Sequence, residues 1–115
     1  MKKDLFKILR TKTPKVTGGL IQMRQETFRD AVVPAKYKIL AALAVVIVTK
    51  CEPCIRGYVK MAFEAKVTEE EFIEFLNVAI TEAGCPGEQW AMIALEVFKD
   101  LQEGGRVEEE VCCKL

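Results

Sequence analysis

Two cysteines three positions apart, in the run Cys51-Glu52-Pro53-Cys54, carry the clearest chemistry in this 115-residue sequence. At the start of a helix, that spacing lets the two sulfurs close a disulfide within one turn. A helix N-terminus offers unpaired amides and partial positive charge, which stabilise a thiolate. A thiol of lowered pKa supplies more nucleophile at neutral pH and a better leaving group in exchange. One cysteine can then attack while the other resolves the sulfenic acid or mixed disulfide that forms. The chain contains no histidine. That removes the usual base near neutral pH and the commonest metal ligand, so chemistry must rest on thiols, carboxylates, lysines or tyrosines.

A C-x-x-C can also be half of a zinc site, with Cys85, Cys112 and Cys113 as the remaining sulfurs. No second C-x-x-C exists, however, and adjacent cysteines fit poorly around one ion. Two inert, packed cysteines are a further reading, since free cysteine behaves as a small hydrophobe. The redox reading is preferred, and no metal or cofactor is expected. Cys85, before Pro86, is expected to be a buried turn residue, and Cys112-Cys113 an unselected feature of the tail rather than an electron shuttle.

The elements that must position the dithiol are helical. A short basic amphipathic segment, residues 4–10, places Leu5, Ile8 and Leu9 on one face with Phe6 beside them. Gly18-Gly19 precedes a second helix over 20–31. Pro34 opens a third, 35–50, whose run Val45-Val46-Ile47-Val48 is β-branched and alone would suggest a buried strand. The strong helix formers Leu40, Ala41, Ala42 and Ala44 decide for a helix, apolar on nearly every side and suited to the core or an interface between subunits. Pro53 suits the first turn of a fourth helix ending at Ala65, with Ile55, Val59, Ala62 and Phe63 as its packing stripe. Thr68-Glu69-Glu70-Glu71 is a capping box that starts a fifth, 69–83, with Phe72, Phe75, Leu76, Ala79 and Ile80 on one face. Gly84-Cys85-Pro86-Gly87 ends it. A sixth runs over 88–102, drawing on Trp90, Ile93, Ala94, Val97, Phe98 and Leu101, until Gly104-Gly105. The expectation is a single all-α domain over 1–115, with its core in 34–104 and a charged tail in 105–115.

Composition agrees with an ordinary globular domain, half apolar and 30% charged, large enough for one core. Seventeen basic and seventeen acidic residues cancel, so no global field recommends nucleic acid or a membrane surface as a partner. The N-terminus lacks the apolar run of a signal peptide, and the longest apolar stretch, 39–48, is about half of what a bilayer-spanning helix needs. A cytoplasmic protein is expected, and its odd number of cysteines favours redox or metal chemistry over a structural disulfide framework.

The stretch from Ile39 to Gly87 resembles the core of the alkyl hydroperoxidase D / carboxymuconolactone decarboxylase family. The resemblance lies in the order and spacing of its pieces. An apolar helix, Leu40-Ala41-Ala42-Leu43-Ala44-Val45, runs into Lys50-Cys51-Glu52-Pro53-Cys54-Ile55. Then Val67-Thr68-Glu69-Glu70-Glu71 opens the next helix, which Ala79 to Gly87 closes. The resemblance implies an all-α fold with a helical hairpin after the dithiol, assembly as a homotrimer or homohexamer, and thiol-dependent peroxidase activity. It also assigns roles, with Cys54 attacking peroxide and Cys51 resolving.

Two departures bear on mechanism. The family's relay histidine, four residues after the second cysteine, is here Tyr58, and its glutamate, twelve before the first, is here Ile39. A tyrosine is a poor base at neutral pH. One expectation is therefore a peroxidase with a substituted relay, in which Tyr58 donates a hydrogen bond and Glu52 serves as base. A second is a thiol–disulfide oxidoreductase that needs no strong base. Both imply a peroxide or disulfide substrate and a dithiol electron donor as partners. The alternative is a structural or redox-sensing subunit that keeps the fold and dithiol without catalysis.

Overall fold

Six helices and no strand make up residues 4–107, the part of the chain that the computed structural model describes. They are α1 (Leu5–Lys12), α2 (Thr17–Thr27), α3 (Ala35–Val48), α4 (Glu52–Glu64), α5 (Glu69–Ala83) and α6 (Cys85–Gln102). The all-α, six-helix expectation is borne out. Residues 108–115, including Cys112 and Cys113, lie outside the described residues.

Several helix ends have a local chemical cause. Asp4 accepts a hydrogen bond from the Lys7 amide and caps α1. The capping box at α5 forms as expected: the Glu71 amide donates to the Thr68 hydroxyl at 3.1 Å, and the Thr68 amide donates to Glu71 Oε1 at 3.0 Å. Pro34 lacks a capping side chain, and Asp30 from the preceding loop accepts the Ala35 amide in its place, at 2.8 Å. α3, α4 and α6 close by one common motif. The residue after the C-cap turns left-handed (Lys50, Lys66 and Gly104, with φ of 59°, 66° and 88°), and its amide and the following one fold back onto the last helical carbonyls. Val67, which ends the closure of α4, is buried beside Ala62, giving that turn its apolar lock.

The hairpin of α5 and α6 differs from the expected four-residue break. Only Gly84 is a turn residue, at φ 69° and ψ −149°, a region open to glycine alone. Cys85 and Pro86 already belong to the first turn of α6, because proline's fixed φ and missing N–H suit that position. Gly87 lies within α6, and a Cβ there would sit 2.7 Å from Ala83 Cβ and 3.1 Å from the Ala79 carbonyl oxygen. It permits close approach of the two helices. Likewise α2 starts at Thr17, earlier than expected, with Gly18 and Gly19 inside it, and ends four residues early.

The core is built by α3 to α6. Leu40, Leu43 and Ile47 of α3 meet Ile55, Val59 and Ala62 of α4, Phe72, Leu76 and Ala79 of α5, and Ala94, Val97 and Phe98 of α6. Phe72 and Phe98 stack at 4.3 Å between centroids, and Phe63 meets Phe98 edge-on at 5.8 Å. α1 and α2 pack on each other, tied at their corner by Thr13 and Thr17: the Thr13 hydroxyl donates to the Leu9 carbonyl at 2.8 Å and accepts from the Thr17 hydroxyl. Neither has a buried residue.

A clamp joins the start of α3 to the start of α5. Lys36 Nζ donates to Glu71 Oε2 at 3.0 Å while the other oxygen of the same carboxylate caps α5. The Thr68 amide and the Lys36 ammonium hold the Glu71 carboxyl below the usual carboxylate range, and Glu71 raises Lys36. A lowered carboxyl stabilises the fold above its unfolded pKa, and that contribution is lost as pH falls through the folded value. A raised lysine contributes below its unfolded pKa and loses that as pH rises through its folded value. Both are therefore in place between about pH 5 and pH 10. Glu71→Gln is expected to lower stability across that window and to flatten the acid limb below it. Urea unfolding from pH 3 to 8 checks this, and parallel limbs for wild type and variant would contradict it.

Candidate dithiol site

Cys51 is positioned twice. Its amide donates to the Val46 carbonyl at 3.1 Å, completing the closure of α3, while Lys50 N–H donates to Ile47 at 3.1 Å. Its own carbonyl accepts the Ile55 amide at 2.9 Å, the first turn of α4, for which Cys51 is the N-cap in extended conformation (φ −97°, ψ 93°). Three residues, Thr49, Lys50 and Cys51, thus connect the two helices. Pro53 in the first turn of α4 fits there because its missing N–H is one that a helix start leaves unbonded.

Cys51 and Cys54 form a disulfide, with their Cα atoms 5.2 Å apart. The expected pair is therefore brought together. Both cysteines are half-buried, and Cys54 packs on the core. The first turn of α4 aims its unbonded amides toward this end of the helix, where negative charge on sulfur is favoured once the bond is reduced.

The other two expected site residues fall in contrasting places. Glu52 is exposed beside the dithiol and faces Arg56 one turn on, with Nη2 3.5 Å from Oε1. Tyr58, one turn after Cys54, is 7% exposed and belongs to the apolar cluster. Its ring meets Phe28 edge-on, with centroids 5.5 Å apart. Ile39 lies in the same cluster at 5% exposure. The positions that would hold a histidine and a glutamate relay are here filled by core packing.

Phe28 is the residue sequence reasoning missed. It is the C-cap of α2, and Lys38 steadies it by donating to the Thr27 and Arg29 carbonyls on either side, at 3.0 and 2.9 Å. Thirty residues separate it from Tyr58, and no local pattern marks the contact. Cys85, expected to be buried, is an exposed free thiol. It loses that burial because Pro86 draws it into the first turn of α6 rather than a turn packed beneath the hairpin. Among the described residues, no group of three or more Cys, Asp or Glu side chains is arranged to hold a metal ion. No helix among them is long and apolar enough to cross a membrane.

Comparison with known proteins agrees with this architecture. The chain belongs to the carboxymuconolactone decarboxylase family, matching it over residues 14–97. It is 32% identical over 73 residues to an uncharacterised protein of Cupriavidus necator, covering 64% of this chain and 65% of that one, just under two thirds of the relative's length. The fold is similar to the apo crystal structure of a carboxymuconolactone decarboxylase family protein from Legionella pneumophila. That match has a TM-score of 0.75 and 28% identity, and covers 79% of this chain and 81% of the other. The family resemblance drawn from the helices around the dithiol is borne out.

The Phe28–Tyr58 contact yields a stability prediction. An edge-to-face aromatic pair is worth about 0.5–1.5 kcal/mol beyond its buried area. A double-mutant cycle of Phe28→Leu and Tyr58→Leu, followed by urea unfolding, is expected to give a coupling in that range. A coupling of zero would mean that the two rings contribute independently.

Proposed function

We propose that this protein is a thiol–disulfide oxidoreductase working through Cys51 and Cys54. The observation that carries the proposal is the disulfide between them, half-exposed at the first turn of α4. In the reducing direction, the Cys54 thiolate attacks one sulfur of a disulfide substrate and expels a thiolate. Cys51 then attacks Cys54 Sγ, releasing the second thiol and leaving the Cys51–Cys54 disulfide. Two electrons pass from the dithiol to the substrate, and a dithiol donor returns them by the same steps in reverse. Exchange of this kind needs a thiolate and an accessible sulfur rather than a strong base. The α4 N-terminus supplies the charge stabilisation, and the proton that leaves the thiol passes to solvent or, as expected from the sequence, to Glu52.

Peroxide reduction is the second reading, on the same two cysteines. Cys54 would take one oxygen from the peroxide as a sulfenic acid, releasing alcohol or water, and Cys51 would condense with it to form the disulfide and release water. The family's membership favours it. The apolar packing of Ile39 and Tyr58 disfavours it, because those positions would have to relay the proton. In either reaction Tyr58 acts as a positioning residue, holding α4 through its ring.

The thiol pKa tests the proposal. In reduced protein, iodoacetamide labelling of the wild type, Cys51→Ser and Cys54→Ser is followed against pH. At least one thiol is expected to label with an apparent pKa below about 7.5, against about 8.5 for an unperturbed cysteine. Labelling only with the unperturbed pKa in both single variants would sink the redox-enzyme reading. It would leave a structural subunit on the same fold. With activation established, turnover of a small disulfide is expected to exceed turnover of hydrogen peroxide at equal concentration.

A further inference from the structure

The charges that cancel over the whole chain do not cancel along it. Residues 1–16 hold six basic side chains and one acidic, whereas residues 17–115 hold eleven basic and sixteen acidic. The basic segment contains α1, which packs on α2 and buries none of its own residues. Leu5, Ile8 and Leu9 are 68%, 48% and 51% exposed. They fall within about 100° of one another around the helix. Phe6 borders them, with the Arg10 guanidinium 5.3 Å from its ring centroid. Lys7, Lys12 and Lys15 are exposed, and the ion pairs among the described residues lie elsewhere in the chain.

We infer that α1 is a docking face for an anionic phospholipid surface, lying flat on it with Leu5, Ile8 and Leu9 entering between the headgroups. Apolar side chains in water gain by entering the acyl boundary, and basic ones gain by meeting lipid phosphate and carboxylate groups. Neither signal holds a protein at a bilayer by itself, but an apolar face combined with a basic cluster gives reversible binding. Lys12 shares the apolar side in the last turn of α1. Its long stem can run along that surface while its ammonium stays among the headgroups. The acidic excess of the remaining chain is repelled by the same surface, which orients the molecule with α1 foremost.

Other occupants fit less well. Nucleic acid would answer the charge but leave three apolar side chains in water. A second copy of the chain would answer the apolar face. However, α1 lies outside the segment matched to the family, residues 14–97, so what the family shares does not account for this face. The docking stands independently of the redox reading.

Co-sedimentation of the full chain with vesicles tests this, comparing equimolar phosphatidylserine and phosphatidylcholine with phosphatidylcholine alone. Binding to the anionic vesicles is expected to be about tenfold tighter or more. It is expected to fall by a similar factor in about 0.5 M salt, where charges are screened beyond about 4 Å. Ile8→Gln with Leu9→Gln keeps every charge and is expected to weaken binding about tenfold. Lys12→Gln with Lys15→Gln keeps the apolar face and is expected to weaken it roughly twentyfold, each basic residue at such a surface being worth about fivefold. Both variants keep the core, because none of these side chains enters it. No binding, or equal binding to the two kinds of vesicle, would overturn the inference. So would undiminished binding by the Ile8→Gln, Leu9→Gln variant, leaving a general polyanion surface that duplex DNA also occupies. An oligomeric wild type that ignores vesicles and dissociates on those two substitutions would put a second copy on the face and overturn it equally.

Discussion

The turn between α3 and α4 is the constraint on which the site depends. One residue, Cys51, ends the closure of the first helix through its amide and begins the second through its carbonyl. Lys50 accepts a left-handed conformation to make this possible, at a cost of about 1 kcal/mol for a side chain with a Cβ. Helix α3 is sunk in the core through Leu40, Leu43 and Ile47, and α4 through Ile55, Val59 and Ala62. The packing of both helices therefore fixes where the dithiol sits and which helix start it faces. The disulfide is local, but its placement is a property of the whole core.

That same packing shapes the chemistry available. Tyr58 and Ile39 have been taken up by the apolar cluster, so the interior beside Cys54 offers apolar packing instead of a proton relay. The surface beside Cys51 offers Glu52, engaged with Arg56, and the start of α4. Charge stabilisation at a helix terminus assists a thiolate in any exchange reaction, whereas peroxide cleavage also asks for a proton delivered to the leaving oxygen. The balance of these two surroundings favours exchange.

Much of this was legible in the residues. The dithiol's spacing, the capping box at Thr68 and the apolar periodicity of α4 to α6 are local signals with local causes, and each appears where its chemistry requires. Helix α3 was readable as a helix but not in its exposure. An all-round apolar sequence cannot say which side lacks a partner, and Val45 and Val48 prove to be on that side. Long-range pairings were equally silent. Glu71 was explained by capping, and its second oxygen reaches Lys36, 35 residues away. At Gly84-Cys85-Pro86-Gly87 four turn-forming residues read as one loop, although proline and the second glycine serve the next helix.

The redox proposal requires that Cys51 and Cys54 form a reversible two-electron couple on an unchanged fold. Equilibration of the protein across a series of reduced-to-oxidised glutathione ratios, with acid trapping and mass analysis, measures this most directly. A single transition between the dithiol and an internal Cys51–Cys54 disulfide, with far-ultraviolet circular dichroism constant throughout, is the predicted result. Glutathione adducts without the internal bond, or loss of helix on reduction, would contradict it.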